Sequence, residues 1–382
     1  MTFATLLKNR SRRVSRILTE FSRRLEPIDD AGLSDMARQS QSISRRFFGR
    51  TMRLFAPLYF SNECINNCVY CGFSRDNRIL RVTLTLDQVE QEARYLAGRG
   101  FRSLLLVSGE HPKFIPNRYV EEVIERVSQI VPSIGLEIAP LETEDYRPLV
   151  QAGAEALVVY QETYDRGVYA TLHTAGPKRD FDWRVECPER GYDAGFRRLG
   201  IGALFGLSDW RQEALRLAEH VEYLLRRCWR AQITIALPRL RPAAGGFIPK
   251  VKLSDRDLIQ LLCAFRISFP QIGIVLSTRE PAALRDLLMT IGVTTMSAGS
   301  CTAPGGYTGQ GQTSRHYTVR GRFSEAEICS DGAEPQFAID DNRTPSQVAE
   351  AISQLGLEPV WKDWDTAIAK GLRFISTATC KR

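Results

Sequence analysis

The sequence predicts an α/β fold, a closed (β/α)8 barrel of the TIM type, with a helical extension before it and a loop-and-helix extension after it. Two observations support this prediction. Short, nearly continuous apolar runs recur along the chain, as expected for strands that are covered on both faces, and helical segments lie between them. Alternating strands and helices give parallel strands joined by right-handed crossovers. Eight such repeats favour a closed barrel.

The elements are predicted in order from these patterns. The helix at 85–100 is the clearest, because Thr85 with Gln88 forms a capping box and Gly100 follows as a stop. The predicted strands are 54–60, 103–107, 135–139, 156–160, 199–205, 232–237, 272–277 and 294–297. The predicted helices between them are 85–100, 118–129, 144–152, 183–194, 210–227, 255–267 and 282–289.

The chain is predicted to divide into a helical arm at 1–50, the barrel at 51–300 and an extension at 301–382 that packs on the barrel. The strand–helix rhythm fails at 298–335, which is rich in Gly, Ser, Thr and Gln and predicts a long loop. A helix resumes at 345–354, with Thr344 as its cap.

Composition indicates a globular enzyme of the cytoplasm. The chain has 382 residues, of which 43% are hydrophobic and 25% charged, which is ordinary globular usage. Its nine cysteines are an odd count and, outside one triplet, are scattered, unlike a secreted disulfide framework. We expect no transmembrane helix, because no apolar run reaches 18 residues, and we see no signal-peptide pattern.

The net charge of +7 comes in part from the arm. The basic residues of this arm are typical of a helix face exposed to solvent, and a docking surface for an acidic protein is the alternative. Nucleic-acid binding is not expected, because no nucleic-acid module accompanies them. The basic residues are Lys8, Arg10, Arg12, Arg13, Arg16, Arg23 and Arg24.

Three cysteines, Cys64, Cys68 and Cys71, lie within eight residues in the spacing C-x3-C-x2-C, and Tyr70 comes just before the last. Thiolates are soft ligands for zinc or iron–sulfur clusters. Structural zinc sites usually have four protein ligands, and no second pair follows here. Three cysteines on one loop can hold three irons of a four-iron cluster and leave the fourth open. This pattern is typical of radical S-adenosylmethionine (radical SAM) enzymes; the alternatives are three structural thiols or an incomplete zinc site.

Polar residues at the ends of the next strands fit the cofactor S-adenosylmethionine. Backbone carbonyls of Ser108, Gly109 and Glu110 could accept bonds from its amine, and the glycine allows close approach. Glu162, at the end of the fourth strand, could accept from both ribose hydroxyls; a plain loop carboxylate is the alternative.

Three further residues complete the predicted cofactor site. The guanidinium of Arg184 suits bidentate pairing with the cofactor carboxylate. Leu204 belongs to an apolar, glycine-flanked wall at 202–206 against which adenine could lie. Tyr70 is included because it adjoins the last cysteine. The common placement of these residues after a cluster motif supports their assignment.

With these residues in place, the sequence resembles the 2-iminoacetate synthase family, the tyrosine lyases of thiamine thiazole biosynthesis, within the aromatic amino acid lyase branch of the radical SAM superfamily. The resemblance covers about 46–365, although the 298–335 loop is longer than expected for the family. It rests on Pro57-Leu-Tyr-Phe-Ser-Asn, the Cys64 loop with Tyr70-Cys-Gly-Phe-Ser, Asn77-Arg78, Leu105-Leu-Val-Ser-Gly-Glu-His111, Val159-Tyr-Gln-Glu-Thr-Tyr164, Pro238-Arg-Leu-Arg-Pro242, Ser277-Thr-Arg-Glu280, Pro304-Gly-Gly-Tyr307 and Pro359-Val-Trp-Lys-Asp-Trp364.

The resemblance implies roles for particular residues. Glu162 would hold the ribose and Arg184 the methionine carboxylate of the cofactor. Tyr59 would line the reaction site, and Arg279 and Ser297 would hold the carboxylate of the amino-acid substrate.

The resemblance also implies the reaction. A [4Fe-4S] cluster and S-adenosyl-L-methionine would generate a 5′-deoxyadenosyl radical that takes a hydrogen from the amino group of L-tyrosine. Cleavage of the Cα–Cβ bond would then give p-cresol and 2-iminoacetate (dehydroglycine). The implied partners are a flavodoxin- or ferredoxin-type reductant and thiazole synthase, with no nucleic acid and no membrane.

Other functions remain open at this point. Tryptophan lyase, which makes 3-methyl-2-indolic acid, is the nearest, because pocket shape decides the substrate. The hydrogenase-maturation tyrosine lyase carries a C-terminal C-x2-C for a second cluster, whereas this chain has only the isolated Cys301, Cys329 and Cys380 there. A zinc-stabilised scaffold without catalysis is an alternative from a different class.

Overall fold

A computed structural model describes residues 2–8, 14–309, 316–320, 322–324 and 333–361. At its centre, eight parallel strands form a closed barrel. The first strand pairs with the eighth from Arg53 opposite Thr295 to Phe55 opposite Ser297, which closes the sheet. The (β/α)8 prediction is confirmed. The strands are β1 Thr51–Ser61, β2 Ser103–Ser108, β3 Ser133–Glu137, β4 Ala156–Glu162, β5 Arg198–Ala203, β6 Gln232–Ala236, β7 Gly273–Leu276 and β8 Thr295–Ser297.

Helices surround the barrel, and most lie where the sequence predicts them. The single helix predicted at 183–194 is two helices, because Pro188 in the first turn of the second lacks the N–H that a continuous helix needs. A helix at 166–172 was not predicted. In chain order the helices are α1 Phe3–Lys8, α2 Arg16–Arg24, α3 Asp30–Phe48, α4 Leu86–Gly98, α5 Asn117–Ser128, α6 Thr143–Ala152, α7 Arg166–Leu172, α8 Phe181–Val185, α9 Cys187–Ala194, α10 Trp210–Arg227, α11 Asp255–Ser268, α12 Ala282–Ile291 and α13 Pro345–Gln354.

Helices α1–α3 precede the barrel and pack on its outer helices. In α3 the Ser40 hydroxyl, which is fully buried, donates to the Ile291 carbonyl at the end of α12 (2.6 Å). Lys8 pairs with Asp182 in α8 (2.7 Å). Arg10, Arg12 and Arg13 of the basic arm lie outside the described residues.

The segment predicted as a loop, 298–335, contains two short strands where it is described. His316–Val319 and Arg322–Ser324 form an antiparallel pair that continues onto Leu80–Arg81, next to the cysteine loop. These strands have only four and three residues, so the alternation of apolar and polar side chains that marks a strand could not be recognised in the sequence. Farther on, Glu358–Val360 pairs in parallel with Thr51–Arg53, the first residues of β1.

Among the described residues, no helix is both long and apolar enough to cross a membrane.

A buried ion pair joins the C-terminal extension to the barrel. Arg285 in α12 bonds the Asp341 carboxylate and the Ser297 carbonyl at the end of β8, and both charged side chains are fully buried. An ion pair of this kind is costly to break from one side, because the remaining charge stays buried without a partner.

We therefore expect Asp341→Ala to destabilise the fold by about 3–5 kcal/mol, measured as the midpoint of denaturant unfolding. Asp286→Ala is the matched control, because Asp286 pairs with Arg343 near the surface and exposed pairs contribute only about 0–1 kcal/mol. Equal effects of the two substitutions would contradict this account.

Candidate functional site

The cysteine loop follows β1 at the carboxyl end of the barrel. Cys64 and Cys68 are buried, and Cys71 is partly exposed. The Cys71 N–H donates to the Cys68 carbonyl (3.0 Å), which makes a tight turn. Burial raises the pKa of the Cys68 thiol; Lys178 opposes this rise, and the sulfurs of Cys71 and Cys64 add to it. The three thiols are therefore close enough to influence one another.

The loop rests directly on the end of β2 at Gly109. A Cβ atom on Gly109 would lie 2.1 Å from the Glu63 carbonyl oxygen and 3.1 Å from the Cys64 Cβ, so only glycine fits. The Ile65 N–H donates to the Glu110 carbonyl (2.8 Å), and the Ser108 hydroxyl donates to the Gly109 carbonyl (2.9 Å). The cysteine loop thus approaches Gly109 closely, and the approach of a cofactor to the same segment stays a prediction.

Asn66 fastens the loop on its other side. Its side-chain amide donates to the Glu110 carboxylate (2.6 Å), and its oxygen accepts the Lys178 N–H (2.9 Å). The amide nitrogen also lies 3.8 Å from the Cys64 sulfur. One buried side chain therefore joins the loop to two separate parts of the barrel rim.

A buried charge cluster lies beside the loop. Lys178 donates to the Glu162 carboxylate (2.6 Å), and Arg184 Nη2 lies 3.8 Å from the same oxygen. Burial would raise the pKa of Glu162, but Lys178 and then Arg184 outweigh it and hold that pKa below its ordinary value. Glu162 is therefore a carboxylate at neutral pH. The sequence predicted Glu162 and Arg184 as site residues. It did not indicate Lys178, because this residue belongs to no recognisable sequence motif.

The backbone at Glu162 is unusual. Its φ angle is +72°, in the left-handed region, where the register between β4 and β5 shifts. A non-glycine residue there costs about 1–3 kcal/mol and is found most often at functional sites. It is at this position that the Glu162 side chain bonds Lys178.

Tyr70 and Leu204 form an apolar wall against Cys68. The Tyr70 hydroxyl lies 2.8 Å from His173 Nε2, and His173 Nδ1 lies 2.8 Å from the Tyr169 carbonyl. Since Nδ1 must donate to that carbonyl, Nε2 accepts from Tyr70. Burial, and then Lys178, lowers the pKa of His173 to about 3, which keeps it neutral.

The remaining predicted residues line one cavity inside the barrel mouth. Tyr59, Arg279 and Ser297 all face it, although they come from β1, the loop after β7 and the end of β8. The Arg279 guanidinium lies 3.3 Å above the ring centre of Phe337. The Ser297 hydroxyl oxygen accepts the Thr278 N–H (3.2 Å), so its own proton is available to a ligand.

The C-terminal extension supplies a wall that the sequence did not reveal. The Tyr59 hydroxyl donates to Gln336 Oε1 (2.8 Å), and Gln336 Nε2 lies 3.9 Å from the Cys71 sulfur. The Gly72 N–H donates to the Gln336 carbonyl (3.2 Å), and a Cβ on Gly72 would lie 2.4 Å from that oxygen. Gln336 therefore touches both the cavity and the cysteine loop.

Within the described ranges, no three His, Cys, Asp or Glu side chains surround a single point as one metal ion would require. The three cysteines instead follow one another along a short turn. Separate thiolates suit the separate irons of a cluster, and binding would remove their protons.

Comparisons with known proteins agree with this geometry. Residues 58–218 match the Radical SAM superfamily, and residues 236–358 match the Biotin and Thiamin Synthesis associated domain. The chain is 38% identical to 2-iminoacetate synthase of Escherichia coli (strain K12) over 347 residues, which covers 91% of this chain and 87% of that protein.

Solved structures give the same picture. The FeFe-hydrogenase maturase HydG from Carboxydothermus hydrogenoformans matches with a TM-score of 0.81 and 33% identity, over 94% of this chain and 80% of that one. Methylornithine synthase (PylB) matches with a TM-score of 0.69 at 19% identity, over 94% of this chain and 97% of that one, and shows the fold alone.

The contact at Gly109 generates a prediction. Gly109→Ala should force the cysteine loop off β2 at a cost of about 1–3 kcal/mol, and Cys64 should then react faster with iodoacetamide. Mass spectrometry of the unloaded protein identifies which cysteine is labelled.

Gly98→Ala is the matched control, because a Cβ there meets nothing within 4 Å and alanine favours a helix. An unchanged labelling rate at Cys64 in Gly109→Ala would show that the loop does not depend on this contact.

Proposed function

The chain belongs to the 2-iminoacetate synthase family of radical SAM lyases, and from this premise we propose that it cleaves the Cα–Cβ bond of L-tyrosine to give 2-iminoacetate and p-cresol. The observation that carries the proposal is the cavity lined by Tyr59, Arg279 and Ser297. It lies beside a three-cysteine loop, with Gln336 touching both.

We propose that Cys64, Cys68 and Cys71 hold a [4Fe-4S] cluster. S-adenosyl-L-methionine would lie against that cluster among the residues predicted for it. When bound, the two supply the 5′-deoxyadenosyl radical that starts the reaction. The residues proposed to bind the nucleoside and methionine parts are Tyr70, Ser108, Gly109, Glu110, Glu162, Arg184 and Leu204.

The charge cluster supports the cofactor assignment. Glu162 is held as a carboxylate, which is the form that accepts from two ribose hydroxyls. Arg184 uses Nε to bond the Tyr160 carbonyl (2.8 Å), and this fixes the guanidinium with its outer edge available to a carboxylate.

The substrate carboxylate is assigned to Arg279 and Ser297. Burial lowers the pKa of Arg279, but a guanidinium remains charged in proteins and needs an anion in this cavity. Ser297 can donate its hydroxyl proton to the same carboxylate. The cavity walls are largely apolar, including Pro57 and Leu105, which excludes water from a reactive intermediate.

Partners and location follow from the family rather than from the geometry. We expect a flavodoxin- or ferredoxin-type protein to reduce the cluster, and thiazole synthase to consume the product. We expect both to be met in the cytoplasm.

The substrate is tested by anaerobic reactions with reductant and S-adenosylmethionine, run in parallel with L-tyrosine and L-tryptophan. We expect p-cresol and glyoxylate, the hydrolysis product of 2-iminoacetate, from tyrosine, detected by chromatography. Turnover of tryptophan to an indole acid without p-cresol would assign the chain to the tryptophan lyases instead.

The cluster is tested by Cys68→Ala. Since each cysteine would hold a different iron, the variant should lose iron, sulfide and activity after anaerobic reconstitution. Cys228→Ala is the control, because Cys228 is buried outside the site and acts as a small apolar residue. Full iron and sulfide in Cys68→Ala would refute the cluster assignment, and zinc alone in the native protein would support a scaffold.

A further inference from the structure

Glu137 ends β3 at the carboxyl face of the barrel and lines the same cavity as Tyr59 and Arg279. No role has been assigned to it so far. Among the described residues its carboxylate has no hydrogen-bond partner. Its backbone is fixed by parallel pairing with Val107 of β2, so the side chain is held at the cavity wall.

Three other carboxylates of this protein, all buried among the described residues, are satisfied by the fold. Glu92 accepts the Thr308 N–H (2.8 Å), Glu213 accepts the Tyr164 N–H (2.7 Å), and Glu280 accepts from Arg239 (3.1 Å). Buried polar groups are nearly always paired. Glu137 differs from these three because it lines the cavity without such a bond, which fits a group whose partner arrives with the ligand.

Charged and titratable groups face Glu137 from every side of the cavity. Burial raises its pKa most, and Glu162 adds to this, while Arg279 and, less strongly, Arg184 and Lys178 oppose it; the pKa rises to about 7. Two neutral phenols, Tyr59 and Tyr160, also respond to its charge. A carboxyl group with a pKa near the working pH can both accept and release a proton.

Arg279 and Glu137 together present one cation and one carboxylate to a single cavity. An α-amino acid carries the complementary pair, a carboxylate and an ammonium group on the same carbon. We propose that Glu137 is a catalytic residue that binds the substrate's α-ammonium group and accepts a proton from it, while Arg279 holds the substrate carboxylate. This inference rests on the proposed function, because it needs an amino-acid substrate in this cavity.

The proton transfer is balanced within the site. The ammonium group loses one proton to the Glu137 carboxylate, which leaves a neutral amine and a neutral carboxylic acid. The N–H bond broken belongs to the substrate, and the O–H bond formed belongs to Glu137. The neutral amine is the form from which loss of a hydrogen atom gives an uncharged nitrogen radical, so the residue prepares the substrate for the reaction.

The first test measures binding by anaerobic calorimetry at pH 8 with the cluster-loaded protein. Glu137→Gln should weaken L-tyrosine binding about tenfold or more, as expected for loss of a charge-assisted bond. Binding of 3-(4-hydroxyphenyl)propanoate, which lacks the amine, should be unchanged. Glu142→Gln, an exposed glutamate on the following loop, is the matched control. Unchanged tyrosine binding, or an equal loss for both ligands, would overturn the proposal.

The second test is the pH dependence of kcat/KM. In the unsubstituted enzyme the value should rise as Glu137 deprotonates through about pH 7, and this rise should vanish in Glu137→Gln and persist in Glu137→Asp. A rise that survives in Glu137→Gln would refute the role. Native iron content in both variants shows that they fold. If the unsubstituted enzyme cleaves no aromatic amino acid, the proposed function fails, and the binding comparison still tests Glu137.

Discussion

The site depends on the closure of the barrel by the pairing of β1 with β8. Three residue pairs, from Arg53–Thr295 to Phe55–Ser297, join segments that are more than 200 residues apart in the chain. Without that closure, Tyr59 on β1 would not face the same cavity as Ser297 on β8. The other strands then fix their side chains by register, because each parallel neighbour determines which residues point inward.

Two groups of charged side chains lie at the mouth of this barrel. Lys178 and Arg184 pair with Glu162 beside the cysteine loop, whereas Arg279 and Glu137 line the cavity. The low polarity of the surroundings strengthens each interaction and penalises any charge left without a partner. The mouth therefore presents both signs of charge in surroundings of low polarity.

Much of this arrangement could be predicted from sequence, because strands and helices follow local periodicity. All eight barrel strands were found, and α10 and α13 match to the residue. Helix α7 was missed because Gly167 and the β-branched Val168 and Thr171 weaken its helical signal. Lys178 and Gln336 could not have been found, since the first lies in a three-residue 3-10 helix, Pro177–Arg179, with no recognisable pattern, and the second reaches the cavity only through tertiary packing. Glu137 fell in the middle of the strand predicted at 135–139, whereas the strand ends at Glu137 in the structure, so nothing in the sequence marked it as a cavity residue.

The wall formed by Gln336 has a consequence for biosynthesis. Gln336 comes after every barrel strand in the chain, so a polypeptide growing from its N-terminus can pair all eight strands before this wall exists. During that interval the Cys71 side of the loop and the Tyr59 hydroxyl lack the cover that Gln336 later gives them. The cover over the Cys71 side of the loop is therefore the last part of the site to be synthesised.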